Sequence, residues 1–462
     1  MTSPLTGNKT WIEFEFIHSS TQLKRPRAFH YDSSFFNFSS SLRRCVFTVR
    51  NTTFHPLRNM AAAIPKALRI QQRVLTTALW SIPRIQLQAR HFSSTQRRMT
   101  PAQNSLPAAY YRGGTSRAIF FNRDDLPKNR EEWDPIFRGA IGSPDPHGRQ
   151  LDGMGGGISS LSKVCVVGPS DDPEADVDYT FVSLGVKDPS VDYSSNCGNM
   201  SSAVGPYAVD SKMVTPTLKG DLATIRIRNT NTQKLIHATF PVVDGEAAAS
   251  GDFSIDGVSG TASRLQLDFI NPAGSKTGKL LPTGNAADEL DGVRATLIDT
   301  ANPCCFVLAS DLGVKGTMTP TEIDADKELL AKLEKIRRLA AVKMGLAKTT
   351  EDVPGSIPKI GFISAPQSSS GHLVVRAMSV GQPHKAIPIS VALAVAAASK
   401  IPGSTAAGSV VKAADDKEAG LVVDHPSGQL TVAAEFDEQG HVSRASVFRT
   451  ARRLMEGRVF WK

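Results

Sequence analysis

From Leu106 onward the chain alternates short apolar runs with turns rich in Gly, Pro, Asp and Ser. Ala118 to Phe121, Lys163 to Val167, Thr224 to Arg228 and Cys304 to Leu308 have the length and composition of strands. Two runs of small apolar residues, Met200 to Val209 and Ile387 to Ala398, read instead as buried helices. Many strands around two buried helices predict an α+β fold. Comparable stretches precede the two helices, Ser195-Asn196-Cys197-Gly198-Asn199 and Ser379-Val380-Gly381-Gln382-Pro383-His384. The body is therefore expected to consist of two related halves, residues 106–290 and 291–462, with the last segment free to return to the first half. Thr319 to Met344 carries Leu329, Leu333, Ile336 and Leu339 on one side and charges on the other. It predicts an amphipathic surface helix that decorates the second half.

Residues 1–105 are expected to be a leader without packed structure. From Met60 to Arg123 there is no Asp or Glu. On a helical projection Ile64, Leu68, Leu75 and Leu79 fall within about 60° of each other, and Lys66, Arg69 and Arg73 fall opposite. A basic, acid-free amphipathic helix followed by Arg90-His91-Phe92-Ser93-Ser94 reads as a mitochondrial transit segment over residues 60–98. A tail without an address is the plainer alternative. Residues 1–59 lack the pattern, so Met60 is the expected working start, and initiation at Met99 would give a cytosolic protein.

Composition narrows the function. Of the 462 residues 40% are hydrophobic and 21% charged, which is ordinary for a globular chain. The formal charge of +9 sits in the leader: residues 1–100 hold 15 Lys and Arg against 3 Asp and Glu, leaving the body at −3. A mildly acidic body without a basic, aromatic surface excludes a nucleic-acid role. The most apolar stretch, Ile387 to Ala398, is about half the ~20 residues that span a bilayer, so no membrane partner is expected. The five cysteines are odd in number, and adjacent Cys304 and Cys305 make a poor disulfide framework, pointing to a reducing compartment. No Cys/His cluster has zinc-ligand spacing, and no Walker or dinucleotide fingerprint occurs, so neither metal nor cofactor is expected.

Four stretches carry candidate chemistry. The Gly-rich run from Asp145 to Lys163 could bring backbone N–H groups to an anion, or could be a flexible surface hairpin. Lys163 leads into Val164-Cys165-Val166-Val167; a lysine at a core can lose its proton and act as a base, or can snorkel from a strand end. Cys197 precedes a helix, where a thiol is acidified and free N–H groups bind carboxylates, although buried cysteines are commonly inert. Cys165, Cys304 and Cys305 lie inside apolar strands and fit the inert reading. Arg112-Gly113-Gly114-Thr115-Ser116 offers a guanidinium beside flexible donors, or is a surface turn.

Together these motifs resemble the PrpF family, from about Leu106 to the C-terminus. The likeness rests on Arg112-Gly-Gly-Thr-Ser, Asp145-Pro-His-Gly-Arg-Gln-Leu-Asp-Gly, Ser162-Lys163-Val164, Asn196-Cys197-Gly198-Asn199, Asn302-Pro303 and Arg449-Thr450-Ala451-Arg452-Arg453-Leu454-Met455-Glu456-Gly457. The resemblance implies a diaminopimelate-epimerase-like fold of two pseudo-symmetric halves, each with strands wrapped around a central helix. It implies a cofactor-independent isomerase of small unsaturated tricarboxylates, aconitate or 2-methylaconitate, with methylitaconate and oxalomesaconate as alternatives. Lys163 and Cys197 are the implied catalytic pair. Substrate carboxylates are expected at Arg112, Gly113, Thr115 and Ser116, at Gly156, Gly157, Ser159 and Ser160 of the Gly-rich loop, and at Asn196, Gly198 and Asn199. Epimerases of this fold carry a second cysteine at the head of the other central helix. Gly381-Gln382-Pro383-His384-Lys385 stands there instead, which favours a one-lysine isomerase over a two-thiol racemase. A homodimer, and an accessory role beside an aconitase-like dehydratase, are also compatible with the family.

The leader yields a direct expectation. A fluorescent fusion beginning at Met60 should accumulate in mitochondria, because the acid-free helix then lies at the exposed N-terminus; diffuse cytosolic fluorescence would refute the address.

Overall fold

The computed structural model describes residues 103–366, 371–411 and 420–462; the leader through residue 102, with its transit-type segment, lies outside the described residues, while Asn104 and Ser105, expected to close the leader, already pair with β-strand residues Trp461 and Phe460. The chain begins with β1 (Asn104–Gly113) and β2 (Ser116–Asn122), then helix α1 (Trp133–Ile141). It continues with β3 (Lys163–Pro169), β4 (Val177–Leu184), β5 (Val191–Asp192) and helix α2 (Gly198–Asp210). β6 (Leu218–Lys219), β7 (Leu222–Asn229), β8 (Lys234–Val243), β9 (Glu246–Ala247) and β10 (Leu265–Ile270) complete this set. The second set runs β11 (Asp288–Leu290), β12 (Val293–Thr300), β13 (Asn302–Leu308), α3 (Pro320–Ala325), α4 (Lys327–Lys343), β14 (Lys359–Ser364) and β15 (Leu373–Ser379). It ends with β16 (Gln382–Pro383), α5 (Ile389–Ala398), β17 (Leu421–His425), β18 (Gly428–Phe436) and β19 (Val442–Arg449), before a final β20 (Ala451–Trp461).

Pairing follows one pattern twice. In the first set β20–β1–β2 is antiparallel, β2–β3 parallel, β3–β4 antiparallel, β4–β7 parallel and β7–β8–β10 antiparallel. In the second, β11–β12–β13 is antiparallel, β13–β14 parallel, β14–β15 antiparallel, β15–β17 parallel and β17–β18–β19 antiparallel. The order of steps is identical, so β3 and β14, β4 and β15, and α2 and α5 hold equivalent places. This is the α+β architecture of strands wrapped about two central helices. Antiparallel pairing of β10 with β19 joins the sets, and the last strand of the chain, β20, lies against the first. The chain crosses between the sets after β10: Ala301 N donates to Pro272 O (2.8 Å) and Gly274 N to Asp299 O (2.9 Å), so the following residues already pack on β12. Asp291 comes later, in the turn between β11 and β12, with φ at 54°.

Both central helices are buried all round. All ten residues of α5 are buried, and so is α2 from Gly198 to Val209. Small residues make this possible by letting strands approach the helix; a Cβ on Gly205 would fall 2.7 Å from Phe240. Cys304 faces the core around α5, while Cys305, on the opposite face of the same strand, faces the core under α4. Both thiols, like Cys165, are fully buried, and burial pushes their pKa values up.

Parallel pairing of consecutive strands requires a crossover. α1 lies on the crossover from β2 to β3, and α3 with α4 on that from β13 to β14. The expected decoration is therefore the counterpart of α1, demanded by topology. It is also two helices. Asp326 is extended (φ −84°, ψ 90°), ends α3 and caps α4 by accepting from Leu329 N at 2.9 Å; Thr319 and Glu322 form a capping box at the start of α3. Helix α1 is unanticipated, yet its buried Trp133, Ile136, Phe137, Ala140 and Ile141 follow a plain helical spacing. Asp326→Ala should cost about 1 kcal/mol in urea unfolding by removing the α4 cap, and no loss would show that helix packing alone sets the break.

Candidate active site

Lys163 is delivered by a loop tied down at two residues. The Asp145 carboxylate accepts from the amides of His147, Arg149 and Gln150 at 2.9, 2.8 and 2.6 Å, which lowers its pKa. Gln150, buried and in the left-handed region (φ 54°), spans the loop. Its Oε1 accepts from Gly157 N (2.9 Å) and Ser162 Oγ (2.7 Å), and its Nε2 donates to Ser143 Oγ (2.8 Å). The Gly-rich stretch is a hydrogen-bonded frame whose last residue precedes β3. Its Gly157 amide is spent on Gln150 and its Ser159 amide on Gln382 Oε1 (3.1 Å), so these two do not form an open anion cradle.

At the end of the frame, a buried cavity lies where the starts of β3 and β14 meet the N-termini of α2 and α5. Lys163, Cys197, Lys359 and His384 line it. So do six serines, Ser116, Ser183, Ser195, Ser356, Ser379 and Ser390, and no Asp or Glu. Lys163 is 5% exposed, and its Nζ lies 5.1 Å from the centre of the Phe181 ring. Lys359 is 8% exposed and donates to Ser356 O at 3.2 Å. Among the described residues neither ammonium forms an ion pair with a carboxylate. Burial first, then the neighbouring Lys163 charge, push the Lys359 pKa down, while Cys197, Cys304 and Asp192 pull it up. Cys197 is the N-cap of α2, extended at φ −111° and ψ 97°, with its side chain making no cap bond. The same burial, with Lys163 next, holds His384 down to about 3, so its imidazole is neutral; Nδ1 accepts from Ala386 N at 3.0 Å, which leaves the proton on Nε2. A wider cleft bounded by Arg138, Asp152 and Lys462 lacks this character, because its Asp152 and Lys462 pair with each other at 2.8 Å in solvent.

Of the expected substrate residues, Ser116, Asn196, Gly198 and Asn199 line the cavity beside Lys163 and Cys197. Gly157, Ser159 and Ser160 line an adjoining cleft with Gln382 and Lys385, and His384 belongs to both. Thr115 is next to the cavity through Ser116, and its buried Oγ1 has no hydrogen-bond partner among the described residues. Three residues are not brought there. Arg112 spends Nη1 on Gly114 O, Thr450 O and Thr450 Oγ1 at 3.2, 3.0 and 2.9 Å, so it fastens the β1–β2 turn to the segment after β19. Gly113 is a close-packing residue, since a Cβ there would lie 2.4 Å from Asn199 O. Gly156 packs under Leu161, whose side chain a Cβ would meet at 2.5 Å.

The site is a joint product of both strand sets. Asn302 Oδ1 accepts from Asn196 N (3.0 Å) and Asn302 Nδ2 donates to Asn196 O (2.6 Å), a reciprocal pair buried beside Cys197. Ser356 N donates to Asp192 Oδ2 (3.0 Å), and the hydroxyls of Ser194 and Ser356 lie 2.9 Å apart. Sequence reasoning missed Lys359 and the organising role of Gln150. Lys359 carried the same signal as Lys163, a lysine heading an apolar run, here Ile360-Gly361-Phe362-Ile363.

A buried lysine, a thiol at the N-terminus of α2 and a carboxylate-free cavity form an acid–base site, and this fold with such a site is that of an isomerase. The chain is 39% identical over 377 residues to a 3-methylitaconate isomerase of Eubacterium barkeri, covering 78% of this chain and 97% of that one. It is 38% identical over 392 residues to a 2-methyl-aconitate isomerase of Shewanella oneidensis, covering 78% and 98%. The crystal structure of a methylitaconate-delta-isomerase superposes with a TM-score of 0.63 at 38% identity, over 78% of this chain and 96% of that one. The family described as PrpF protein matches residues 103–462, and the chain belongs to that family.

Asn302→Ala removes both bonds to Asn196 and strands a buried N–H and a buried carbonyl. The expected loss is about 2–4 kcal/mol in chemical denaturation. A loss below about 1 kcal/mol would mean that the two strand sets do not depend on this pair.

Proposed function

We propose that this chain is a cofactor-independent isomerase of small unsaturated tricarboxylates, with aconitate and 2-methylaconitate as its substrate class. One observation carries the reading: two buried lysines share a serine-lined cavity with Cys197 and no carboxylate. Burying ammonium groups without counter-ions is costly, so the cavity calls for a ligand that brings several negative charges of its own. The names of the relatives support small unsaturated acids, since a 2-methyl-aconitate isomerase is named for a tricarboxylate of this class and a 3-methylitaconate isomerase for a related dicarboxylate, which stays an alternative. A (4E)-oxalomesaconate Delta-isomerase of Novosphingobium, 39% identical over 357 residues, keeps that keto acid as a second candidate.

The chemistry follows from the substrate. In aconitate the CH₂ between a carboxylate and the alkene is allylic, and removal of its proton leaves a delocalised dienolate. Lys163 is the base that takes that proton. The original double bond loses order in the anion, so reprotonation yields a cis/trans isomer or a shifted double bond. Donors fixed in advance where charge develops are the largest contribution in such a site, and the serine hydroxyls with the N-terminus of α2 supply them. Cys197 lies at that N-terminus, as proton donor or as polar wall. A non-catalytic accessory role leaves the buried Lys163 beside Cys197 without a purpose. For the address, the basic, acid-free composition of residues 60–98 supports mitochondria.

Purified protein should isomerise at least one of cis-aconitate, trans-aconitate and 2-methylaconitate in D₂O, followed by proton NMR, with deuterium entering the allylic carbon. Lys163→Ala should lower kcat by about 10²–10⁴-fold with the fold intact by circular dichroism. Retention of more than about a tenth of wild-type kcat, a loss under ~1.4 kcal/mol, would remove Lys163 as the base.

A further inference from the structure

The cavity around Lys163 has about 20 Å³ of open space, room for little more than one water molecule. A tricarboxylate whose reacting carbon sits at Lys163 therefore extends beyond it. Two clefts adjoin the cavity. One, of about 300 Å³, shares Ser356, Lys359 and Val380 with it and lies beside α4. Its walls are largely apolar, with Leu330, Leu333, Ile360 and Met378, and its arginine is already engaged: Arg337 bonds both oxygens of Glu334 and the carbonyls of Pro354 and Ile357. The other, of about 400 Å³, shares His384, and Arg117 N donates to Ser160 O at 3.0 Å, so its wall adjoins the residue after Ser116 of the cavity.

This second cleft offers free cations, one from each strand set. Lys187 lies on the connection between β4 and β5, and Lys385 follows His384. Asp324 is the only carboxylate in the lining, and among the described residues neither lysine forms an ion pair. Both are placed by their surroundings. Ala386 N donates to His384 Nδ1 at 3.0 Å and Ser427 Oγ donates to Lys385 O, which pins the turn that carries Lys385. A Cβ on Gly148, at φ 68°, would meet Cε of Lys187 at 3.1 Å, so the lysine stem lies along a glycine that leaves it room. The backbone does not replace these ammonium groups, because the Gly157 and Ser159 amides beside them are taken by Gln150 and Gln382.

We propose that the cleft past His384 seats one carboxylate of the substrate, and that Lys187 and Lys385 hold it there and so select a tricarboxylate over a dicarboxylate. The proposal rests on the isomerase reading above and deepens it by locating the preference between its two substrate classes. A dicarboxylate is served by the inner cavity alone and leaves the cleft to water. A tricarboxylate has a further charge to place. The cleft with two unpaired ammonium groups against one carboxylate attracts that charge, whereas the apolar cleft beside α4 would strip its water without replacing it. Both lysines are exposed, so water weakens each contact and the selection comes from the pair acting together. They are positioning residues, remote from the reacting carbon. Their contribution is equal in the bound substrate and in the transition state, and it falls on binding rather than on turnover.

The test compares the whole wild-type chain with a variant carrying both Lys187→Met and Lys385→Met, at fixed ionic strength, with the fold checked by circular dichroism. Binding is read by calorimetry with two saturated acids that have no alkene to isomerise, tricarballylate and methylsuccinate. The double variant should bind tricarballylate at least about tenfold more weakly and methylsuccinate within about threefold of wild type. With aconitate or 2-methylaconitate as substrate the same loss should appear in KM, with kcat within about twofold. Replacing both lysines by arginine keeps the charges and should retain the preference for the tricarboxylate. An equal loss for both acids would reduce the lysines to general attraction of anions and overturn the proposal. A loss under about threefold for tricarballylate, or a wild type that does not bind it, would overturn it as well. A wild type that binds tricarballylate through these lysines, yet isomerises none of cis-aconitate, trans-aconitate and 2-methylaconitate, would overturn the isomerase reading and leave the carboxylate seat standing.

Discussion

The first turn of α2 and the first turn of α5 meet at Gly198, where an added Cβ would lie 2.7 Å from Cβ of Ile389. Much of the site depends on that contact. Two helices can approach this closely only where one of them has no side chain, and a bulkier residue would push the N-termini apart. Because they touch, the thiol at the head of α2 and the lysine at the head of β14 face the same space although they come from different strand sets. The Asn196–Asn302 pair holds the approach from the side, between the residue before Cys197 and the first residue of β13.

The electrostatic design is the reverse of a stable ion-pair network. On β7 the protein neutralises its cations: Arg226 holds Asp176 at 2.7 Å, and Arg228 holds Asp178 at 2.8 Å. In the cavity Lys163 and Lys359 are given hydroxyls, a carbonyl and an aromatic face, and no carboxylate. Such a site is incomplete until an anion enters, and the unfavourable burial of charge becomes binding energy for a polycarboxylate. The neutral imidazole of His384 adds a hydrogen-bond donor without adding a charge.

Legibility in the sequence followed the range of the interactions involved. The strands around Ala118, Val164, Ile225 and Phe306 and the helices at Met200 and Ile389 were readable because apolar periodicity is a local property. Lys163 and Cys197 stood out by position, one heading an apolar run and one preceding a helix. The break at Asp326 was also local, and the capping signals of Thr319, Glu322 and Asp326 would have marked it. By contrast, nothing near Arg112 indicates that its guanidinium is taken by Thr450, which lies 338 residues further along the chain. The frame held by Gln150 was hidden for a related reason, since a glutamine in a glycine-rich loop reads as a solvated side chain until its partners are in place.

By itself, then, the sequence determined many of the strands, both buried helices, and which residues could carry acid–base chemistry. Only the tertiary structure decided which of those residues share one cavity. It placed Arg112, Gly113 and Gly156 outside the lining of that cavity, and it put Lys359 in the same cavity as Lys163. The reason is that periodicity and capping are written within a turn or two of chain, whereas membership of this site depends on parallel pairings and on two helix ends brought together from distant positions.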